Sequence, residues 1–428
     1  MKQEIEEIYQ QFLRHPKICT DTRKIESNSI FFALSGENFD GNKFAEEALN
    51  KGAEMCVVSD PLLKNEPRYF WVEDTLVALQ ELAAYHRSKL KIPVIGITGS
   101  NGKTTTKELI KSALSEKYKV FATKGNLNNH IGVPLSLLSI TAEHEIAIIE
   151  MGANHQKEIE FLANICTPDC GLITNIGKSH LEGFGGIEGV EKGKTELFAN
   201  LNSRGKQLFI NTTDDRLSRY IEQTKAITYG LDSSDYTAKV ISNSPYLTME
   251  VSYGKNQFEL HSQLIGTYNW NNIMAAVVIA DFYEVDANSI KKGIEGYQPK
   301  NNRSQLVHQG KNQIILDCYN ANPSSMKEAI SNLIHSENDK KFFILGDMLE
   351  LGKDSKQEHE AIVEFLIENE LKGILVGKLF KVVKQNEYIS FVNNEAAKKF
   401  MKTNPKKETL FLIKGSRGIK LETIQEVL

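Results

Sequence analysis

Short runs of β-branched and aliphatic residues recur along this chain, separated by longer stretches with apolar positions three and four apart. In the middle of the chain the runs fall at 94–98, 146–149, 172–176 and 207–210. Later ones fall at 314–316, 342–345, 373–376 and 410–413, and two early ones at 30–34 and 55–58. Near-continuous apolar strands alternating with helices predict mainly parallel sheets covered on both faces. After the run at 94–98, Ile110, Ala113, Leu114 and Tyr118 keep helical spacing. Residues 44–49 predict a helix closed by Gly52, and 75–89 predict a longer one. A third helix follows Trp270, with Ile273, Ala276, Val277 and Ala280 as its apolar positions. Segment 237–265 instead alternates, with Leu247, Met249, Val251 and Tyr253 on one face, and predicts an antiparallel ribbon appended to the sheet. Pro93 and Pro299 mark joins, so three α/β units are expected at 1–90, 91–299 and 300–428.

Composition narrows the classes. The 428 residues are 41% apolar and 25% charged, enough to bury ordinary cores. A net charge of −4 gives no reason to expect nucleic acid or an anionic membrane as partner. Residues 1–7 are acidic and lack the apolar centre of a signal peptide, and no apolar run approaches spanning length. Five scattered cysteines fit a reducing compartment, and a cytoplasmic location is expected. Cys166 and Cys170 have no second Cys/His pair at metal-ligand spacing, so they are read as small buried hydrophobes.

The chemistry centres on Thr98-Gly99-Ser100-Asn101-Gly102-Lys103-Thr104-Thr105, between an apolar strand and a helix. Strand, glycine turn and helix form the context a phosphate loop needs, although Ile97 stands where the strict pattern has its first glycine. Backbone N–H groups would face an anion, Lys103 would reach the outer phosphates and the Thr104 hydroxyl would sit on magnesium. Parallel sheets bind ligands beyond the carboxyl ends of their strands, and polar residues follow each run here. Glu150 ends one run; Gly177 to Gly185, with His180, follows another; Asn126, Asn128 and Asn129 fill a glycine-flanked loop. Asp317-Cys318-Tyr319-Asn320-Ala321-Asn322-Pro323, 346–352 and Lys414-Gly415-Ser416-Arg417 follow runs of the last unit. Taken alone, Lys194 reads as a solvated helix lysine, and Asp21-Thr22-Arg23 as turn chemistry.

Taken in order, these pieces resemble the Mur ligases, which add amino acids to the peptidoglycan precursor. The resemblance rests on the loop Thr98 to Lys107, on Glu150-Met151-Gly152-Ala153, on 175–182 and on Lys194-Thr195-Glu196-Leu197-Phe198. The Asn-Ala-Asn-Pro run at 320–323 and the Gly-Asp-Met-Leu-Glu-Leu-Gly run at 346–352 add specificity. Tyr268 stands where the family usually carries His, and Asn302 where Gly usually precedes the linker arginine, Arg303.

The resemblance implies a small N-terminal domain that binds a UDP-precursor, a central P-loop ATPase-like domain and a C-terminal Rossmann-like ligase domain. It implies ATP held by Gly99, Asn101, Gly102, Lys103, Thr104 and Thr105, and, across the domain junction, by Asn269, Asn272, Arg303 and Asp317. One magnesium ion would take Thr104 and Glu150. A second would take His180 and Lys194, with Lys194 carrying a carbamate. Lys103, Glu150, His180 and Lys194 are thus the expected catalytic set. Asp21, Thr22, Arg23, Asn126 and Asn129 would face the UDP-N-acetylmuramoyl tripeptide. The third unit, through Asn320, Asn322, Lys414 and Arg417, would bring D-alanyl-D-alanine. A monomer is expected. So is closure of the third unit over the second about a hinge near Pro299, from an open chain before substrates bind. Two rivals use a similar loop: a folate polyglutamate synthase, and a nucleotide-dependent switch without amide chemistry. The asparagine loop and the N-terminal unit count against the first, and Glu150, His180 and Lys194 against the second.

Overall fold

The computed structural model describes residues 2–64, 67–222, 224–300 and 302–428; Met1 and Asn301, beside the expected hinge, lie outside them. Among the described residues the strands form sheets of four, nine and six, plus a small hairpin pairing Ser35–Gly36 with Phe39–Asp40. The first sheet is parallel and runs Ile18–Cys19, Ser29–Phe32, Ala53–Val58, Tyr69–Trp71. The central sheet carries seven parallel strands: Val120–Ala122, Ile146–Glu150, Val94–Thr98, Cys170–Ile173, Gln207–Asn211, Ile227–Gly230 and Tyr236–Ser242. Thr248–Tyr253 and Asn256–His261 then fold back as the expected antiparallel ribbon. In the last sheet Gln305–Gln309 is antiparallel and the other five strands, including Asn312–Asp317 and Leu410–Lys414, are parallel.

Alternate residues of the central strands serve the two faces, as the period of two requires. Ile95, Ile97, Ile146 and Ile148 share a core with Ile110, Ala113, Leu114, Ile273 and Val277 of the helices Lys103–Leu114 and Trp270–Phe282. Val94, Ala147 and Ile149 face the other way, toward Leu162, Leu197 and Leu201 and toward Leu79 and Leu82 of the helix Thr75–Lys89. Val94–Thr98 lies mid-sheet, with Ile97 opposite Glu150 and Thr98 opposite Ile173. The glycine turn therefore leaves the sheet beside Glu150.

Two local readings need correction. The run at 172–176 is a strand at Cys170–Ile173. The chain leaves the ladder there because Thr174 Oγ1 donates to Asn101 O at 2.5 Å and Asn175 Oδ1 accepts from Asn101 N at 3.0 Å. The acidic start is a helix, Lys2–Arg14, that buries Ile5, Ile8, Tyr9 and Phe12. That spacing of three, one and three is amphipathic and is legible in the sequence. All five cysteines are free; Cys166 and Cys170 are buried, and desolvation pushes both thiols up to about 12. Among the described residues no helix is long and apolar enough to cross a membrane.

Candidate active site

The phosphate loop is held open from behind. Gly99 has φ +140°, and a Cβ there would stand 2.0 Å from Thr174 Oγ1. Gly102 has φ +78°, with Asn272 Oδ1 2.5 Å from where its Cβ would be. Both positions combine left-handed backbone with close approach, so only glycine fits. Asn272 itself is buried, accepting from Thr106 Oγ1 at 2.9 Å and donating to Asn269 Oδ1 at 2.7 Å. Lys103 starts the helix and donates to Gly99 O at 2.6 Å and Ser100 O at 3.2 Å. Burial pulls its ammonium down to about 8, against the pull of Glu150.

Glu150 closes its strand fully buried. Its carboxylate accepts from Thr104 Oγ1 at 3.0 and 3.2 Å and from Asn128 Nδ2 at 2.8 Å. The buried ammonium of Lys107 lies 3.9 Å away and donates to Thr123 O at 2.5 Å. An acid in that setting is positioned, with its oxygens toward the first turn of the loop helix.

A cavity of about 970 Å³ opens in front of this wall. The central unit lines it with 100–105, Asn126, Asn128, Asn129, Glu150, His180, Asn269 and Asn272. Arg303 and, from the third unit, Asp317, Tyr319, Asn320, Glu328, Glu350, Lys414 and Arg417 line the opposite side. The Arg303 guanidinium lies 3.5 Å above the Tyr319 ring, a cation–π stack. Lys414 Nζ donates to Asp317 Oδ2 at 2.5 Å and to Asn320 O at 3.3 Å. Beside them, burial lifts the Glu328 carboxyl to about 7, with Lys414 opposing and Asp317 adding to the shift.

Several expected site residues lie elsewhere. Lys194 does not line the cavity: its side chain is buried behind the wall, donates to Ala153 O at 3.0 Å and sits 4.9 Å over the Phe184 ring. Desolvation and the nearby Lys103 push its pKa well below the usual lysine range. It is therefore not a solvated helix lysine. Asn322 also lies outside the lining. It caps the helix Pro323–His335 by accepting from Ser325 N at 2.9 Å, and donates across the seam to Asn101 Oδ1 at 2.7 Å. Asp21, Thr22 and Arg23 are not in the lining; Asp21 caps its own turn and pairs with the exposed Arg23 at 2.8 Å. Of the loop asparagines, which line the cavity, Asn129 closes the turn before the next helix by accepting from Ile131 N and Gly132 N, and Asn128 turns to Glu150. Lys107 and Glu328 are contributors that sequence reasoning missed; Asn128, Tyr319 and Glu350 stood in polar runs after strands without an assigned catalytic role. The two departures from the family pattern are absorbed locally. Tyr268 OH meets Ser304 Oγ at 2.8 Å, and Asn302 takes φ +56°, a left-handed conformation that glycine adopts freely and asparagine tolerates.

The third unit is seated on the second. Lys178 of the central unit pairs with Glu358, and its backbone N donates to Ser324 Oγ at 3.1 Å. His180 Nδ1 lies 2.6 Å from Glu350 Oε2.

Comparison with known proteins agrees with this arrangement along the chain. Residues 17–95 match the model described as Mur ligase family, catalytic domain; 97–280 match the Mur ligase middle domain; and 302–417 match the Mur ligase, glutamate ligase domain. The UDP-N-acetylmuramoyl-tripeptide–D-alanyl-D-alanine ligase of Bacillus subtilis (strain 168) is 37% identical, covering 97% of this chain and 93% of that relative. The same-named ligase of Escherichia coli (strain K12) is 33% identical, with 96% and 93% covered. Among solved structures, MurF from Acinetobacter baumannii superposes with a TM-score of 0.88 at 32% identity, covering 96% of this chain and 92% of that one. The MurF ligase from Thermotoga maritima in complex with ADP gives 0.86 at 27% identity and 97% of each. With three successive domain matches and full-length relatives above 30% identity, the chain belongs to the Mur ligase family.

Proposed function

We propose that this protein joins D-alanyl-D-alanine to a UDP-N-acetylmuramoyl tripeptide at the expense of ATP, in the cytoplasm and as a monomer. One observation carries the reading. A single cavity brings the phosphate loop and Glu150 of the central unit face to face with Asp317, Asn320, Lys414 and Arg417 of the third. The names of the two bacterial ligases support the same reaction. Unit boundaries near residues 90 and 299 fit the sheets and the three domain matches.

A carboxylate does not acylate an amine near neutral pH, because oxide is an impossible leaving group. In the proposed route the tripeptide's terminal carboxylate oxygen attacks the γ-phosphorus of ATP, and the bond to ADP breaks. The free amine of D-alanyl-D-alanine then attacks the acyl carbon, loses a proton and expels phosphate. The first step brings two anions together. At ~4 Å like unit charges repel by about 4 kcal/mol at an effective dielectric near 20. Lys103 and the N–H groups at the start of its helix hold the phosphates against that repulsion. Asn269, Asn272, Arg303 and Asp317 hold the nucleoside end, with Tyr319 stacked under Arg303. Asp21, Thr22, Arg23, Asn126 and Asn129 serve the UDP-sugar acceptor, and Asn320, Asn322, Lys414 and Arg417 the dipeptide side. Seating of the third unit excludes water from the acyl phosphate.

The residues fit magnesium. The Thr104 hydroxyl and the Glu150 carboxylate are hard oxygen donors within 3.2 Å of each other at the cavity wall. His180, and Lys194 as its carbamate, would hold a second ion. Bound magnesium would neutralise charge on the transferring phosphoryl group. Burial lowers the pKa of Lys194, which favours the neutral amine, the form that adds to carbon dioxide with loss of a proton and gain of a carboxylate.

Release of ADP in the presence of the muramoyl tripeptide, with and without D-alanyl-D-alanine, tests the assignment. Release that requires the dipeptide supports it. Release indifferent to the dipeptide ends it. Lys194→Ala is expected to abolish turnover, and unchanged turnover would remove Lys194 from the mechanism.

A further inference from the structure

Lys107 has no part in the scheme above, yet its ammonium is buried directly behind Glu150. It lies one helical turn after Thr104, so the helix Lys103–Leu114 turns the threonine hydroxyl and the lysine ammonium toward the same carboxylate. The side chains of Lys107 and Glu150 are 0% and 2% exposed. A charge is taken that far out of water only where it is paired and hydrogen-bonded.

The contacts of the ammonium are unequal. Nζ lies 2.9 Å from Glu108 Oε1 and donates to Thr123 O at 2.5 Å, but stays 3.9 Å from Glu150 Oε2. The two short contacts hold it back, beyond hydrogen-bond distance of Glu150. Thr123 follows the strand Val120–Ala122 and serves both partners: its carbonyl takes Lys107, and its Oγ1 accepts from Glu150 N at 3.0 Å. Asn128, which accepts at its carbonyl from Gly152 N at 2.7 Å, donates to Glu150 Oε1 from the other side. The carboxylate is therefore fixed by neutral donors, with a cation behind it that does not occupy its oxygens. One ammonium between two carboxylates leaves the cluster with a net charge of −1, and Glu150 turns that charge to the cavity.

We propose that Lys107 is a positioning residue for Glu150: a buried counter-charge that Thr123 and Glu108 hold off the carboxylate, so that its oxygens stay in place and open to the divalent cation that accompanies the nucleotide. The proposal rests on the functional reading above, through the cation at Thr104 and Glu150. The sign of the effect separates it from a simple field effect. A cation that merely lies near a metal site repels the metal, so its removal would tighten metal binding. A cation that keeps a buried carboxylate in place has the opposite effect, because the carboxylate left without it turns toward other donors or solvent.

The test uses the full-length chain, with ADP titrated calorimetrically in Mn2+ and in EDTA. The wild type is expected to bind ADP more tightly with Mn2+. Lys107→Met should lower the Mn2+ affinity of the ADP complex by about 10- to 100-fold and leave ADP affinity in EDTA within about twofold of wild type. Lys107→Gln, which keeps a donor for Thr123 O, should lose less. Circular dichroism checks that each variant folds. A wild-type crystal with ADP and Mn2+ needs no variant, and is expected to keep Nζ on Thr123 O with the ion on Glu150. Unchanged or tighter Mn2+ binding in a folded Lys107→Met, an equal loss of ADP affinity in EDTA, or a crystal with Nζ moved onto Glu150 would overturn the proposal. Failure of dipeptide-dependent ADP release in the wild type would instead refute the ligase reading, and the Mn2+ titration separates the two.

Discussion

The central unit meets its two neighbours through seams of different material. The first seam is apolar and dry. Helix Thr75–Lys89 lays Leu79, Leu82 and Ala83 into a core with Val133, Leu137 and Leu162. Its polar ties are buried as well: Arg87 donates to Cys166 O at 2.9 Å, Thr167 O at 3.0 Å and Asp169 Oδ2 at 2.7 Å, and is 8% exposed. The second seam also carries buried apolar residues, Met348 and Leu351 in one cluster with Leu181 and Phe184, and adds polar contacts at the cavity rim. Glu350 is 56% exposed in its side chain and Lys178 49%. A dry seam with a caged guanidinium is a permanent joint. Exposed ion pairs contribute little net energy, so those at the rim add little to the second joint. The first unit is thus joined to the central one by buried contacts, whereas the third adds exposed ion pairs to its joint.

The sharpest way to break this contrast is at Arg87. Arg87→Ala leaves buried carbonyls unpaired and is expected to cost about 3 kcal/mol, read as a lower urea midpoint. A loss under ~1 kcal/mol would mean the first seam is no firmer than the second. Asn322→Ala strikes the second seam where one side chain both caps a helix and crosses to the central unit. Loss of the helix cap predicts about 1 kcal/mol of stability. Loss of the tie to Asn101 predicts a fall in kcat beyond that, with the KM for the tripeptide unchanged; unaltered kcat would make Asn322 a cap and nothing more. Lys178→Ala should change global stability by about 0.5 kcal/mol or less, while making compaction with ATP analogue and acceptor more sensitive to salt. No compaction in the wild type by small-angle scattering would contradict the hinge.

The smallest effect is in pH. Burial between Tyr9 and Ile140 O holds His86, in the first seam, below its ordinary value of 6.5. The unfolded chain then binds the proton more readily, so this stabilisation is present above pH 6.5 and is lost as pH falls below it. His86→Gln should flatten the stability difference between pH 7.5 and 5.5, and an unchanged difference would assign it elsewhere. His359, similarly depressed by burial in the third unit, adds slope in the same direction, and the raised Glu328 carboxyl adds slope in the opposite one.

What could be read from the chain alone follows from range. The phosphate loop, its strand and its helix lie within about twenty residues, and strand, turn and helix signals agree there. Glu150 was legible because an acid ending an apolar run in a parallel sheet must face the ligand edge. Lys194 stood out only through family resemblance: Lys192 and Lys194 look alike in sequence, and the fold buries Lys194 behind the cavity wall. Among Asn126, Asn128 and Asn129 the composition is uniform, and the folded loop chooses Asn128 for Glu150. Glu350 could not be paired with His180 by any local rule, since 170 residues and a domain seam separate them. The helix Lys2–Arg14 is the converse, a clear helical period carried by Ile5, Ile8, Tyr9 and Phe12 within a short acidic segment.

The central claim is that the peptide bond forms through a mixed anhydride of carboxylate and phosphate. The most direct test is to label the terminal carboxylate of the tripeptide with 18O and run one full conversion with ATP and D-alanyl-D-alanine. The account predicts one 18O atom in each inorganic phosphate released. Phosphate carrying no label, with the dipeptide still incorporated, would contradict it.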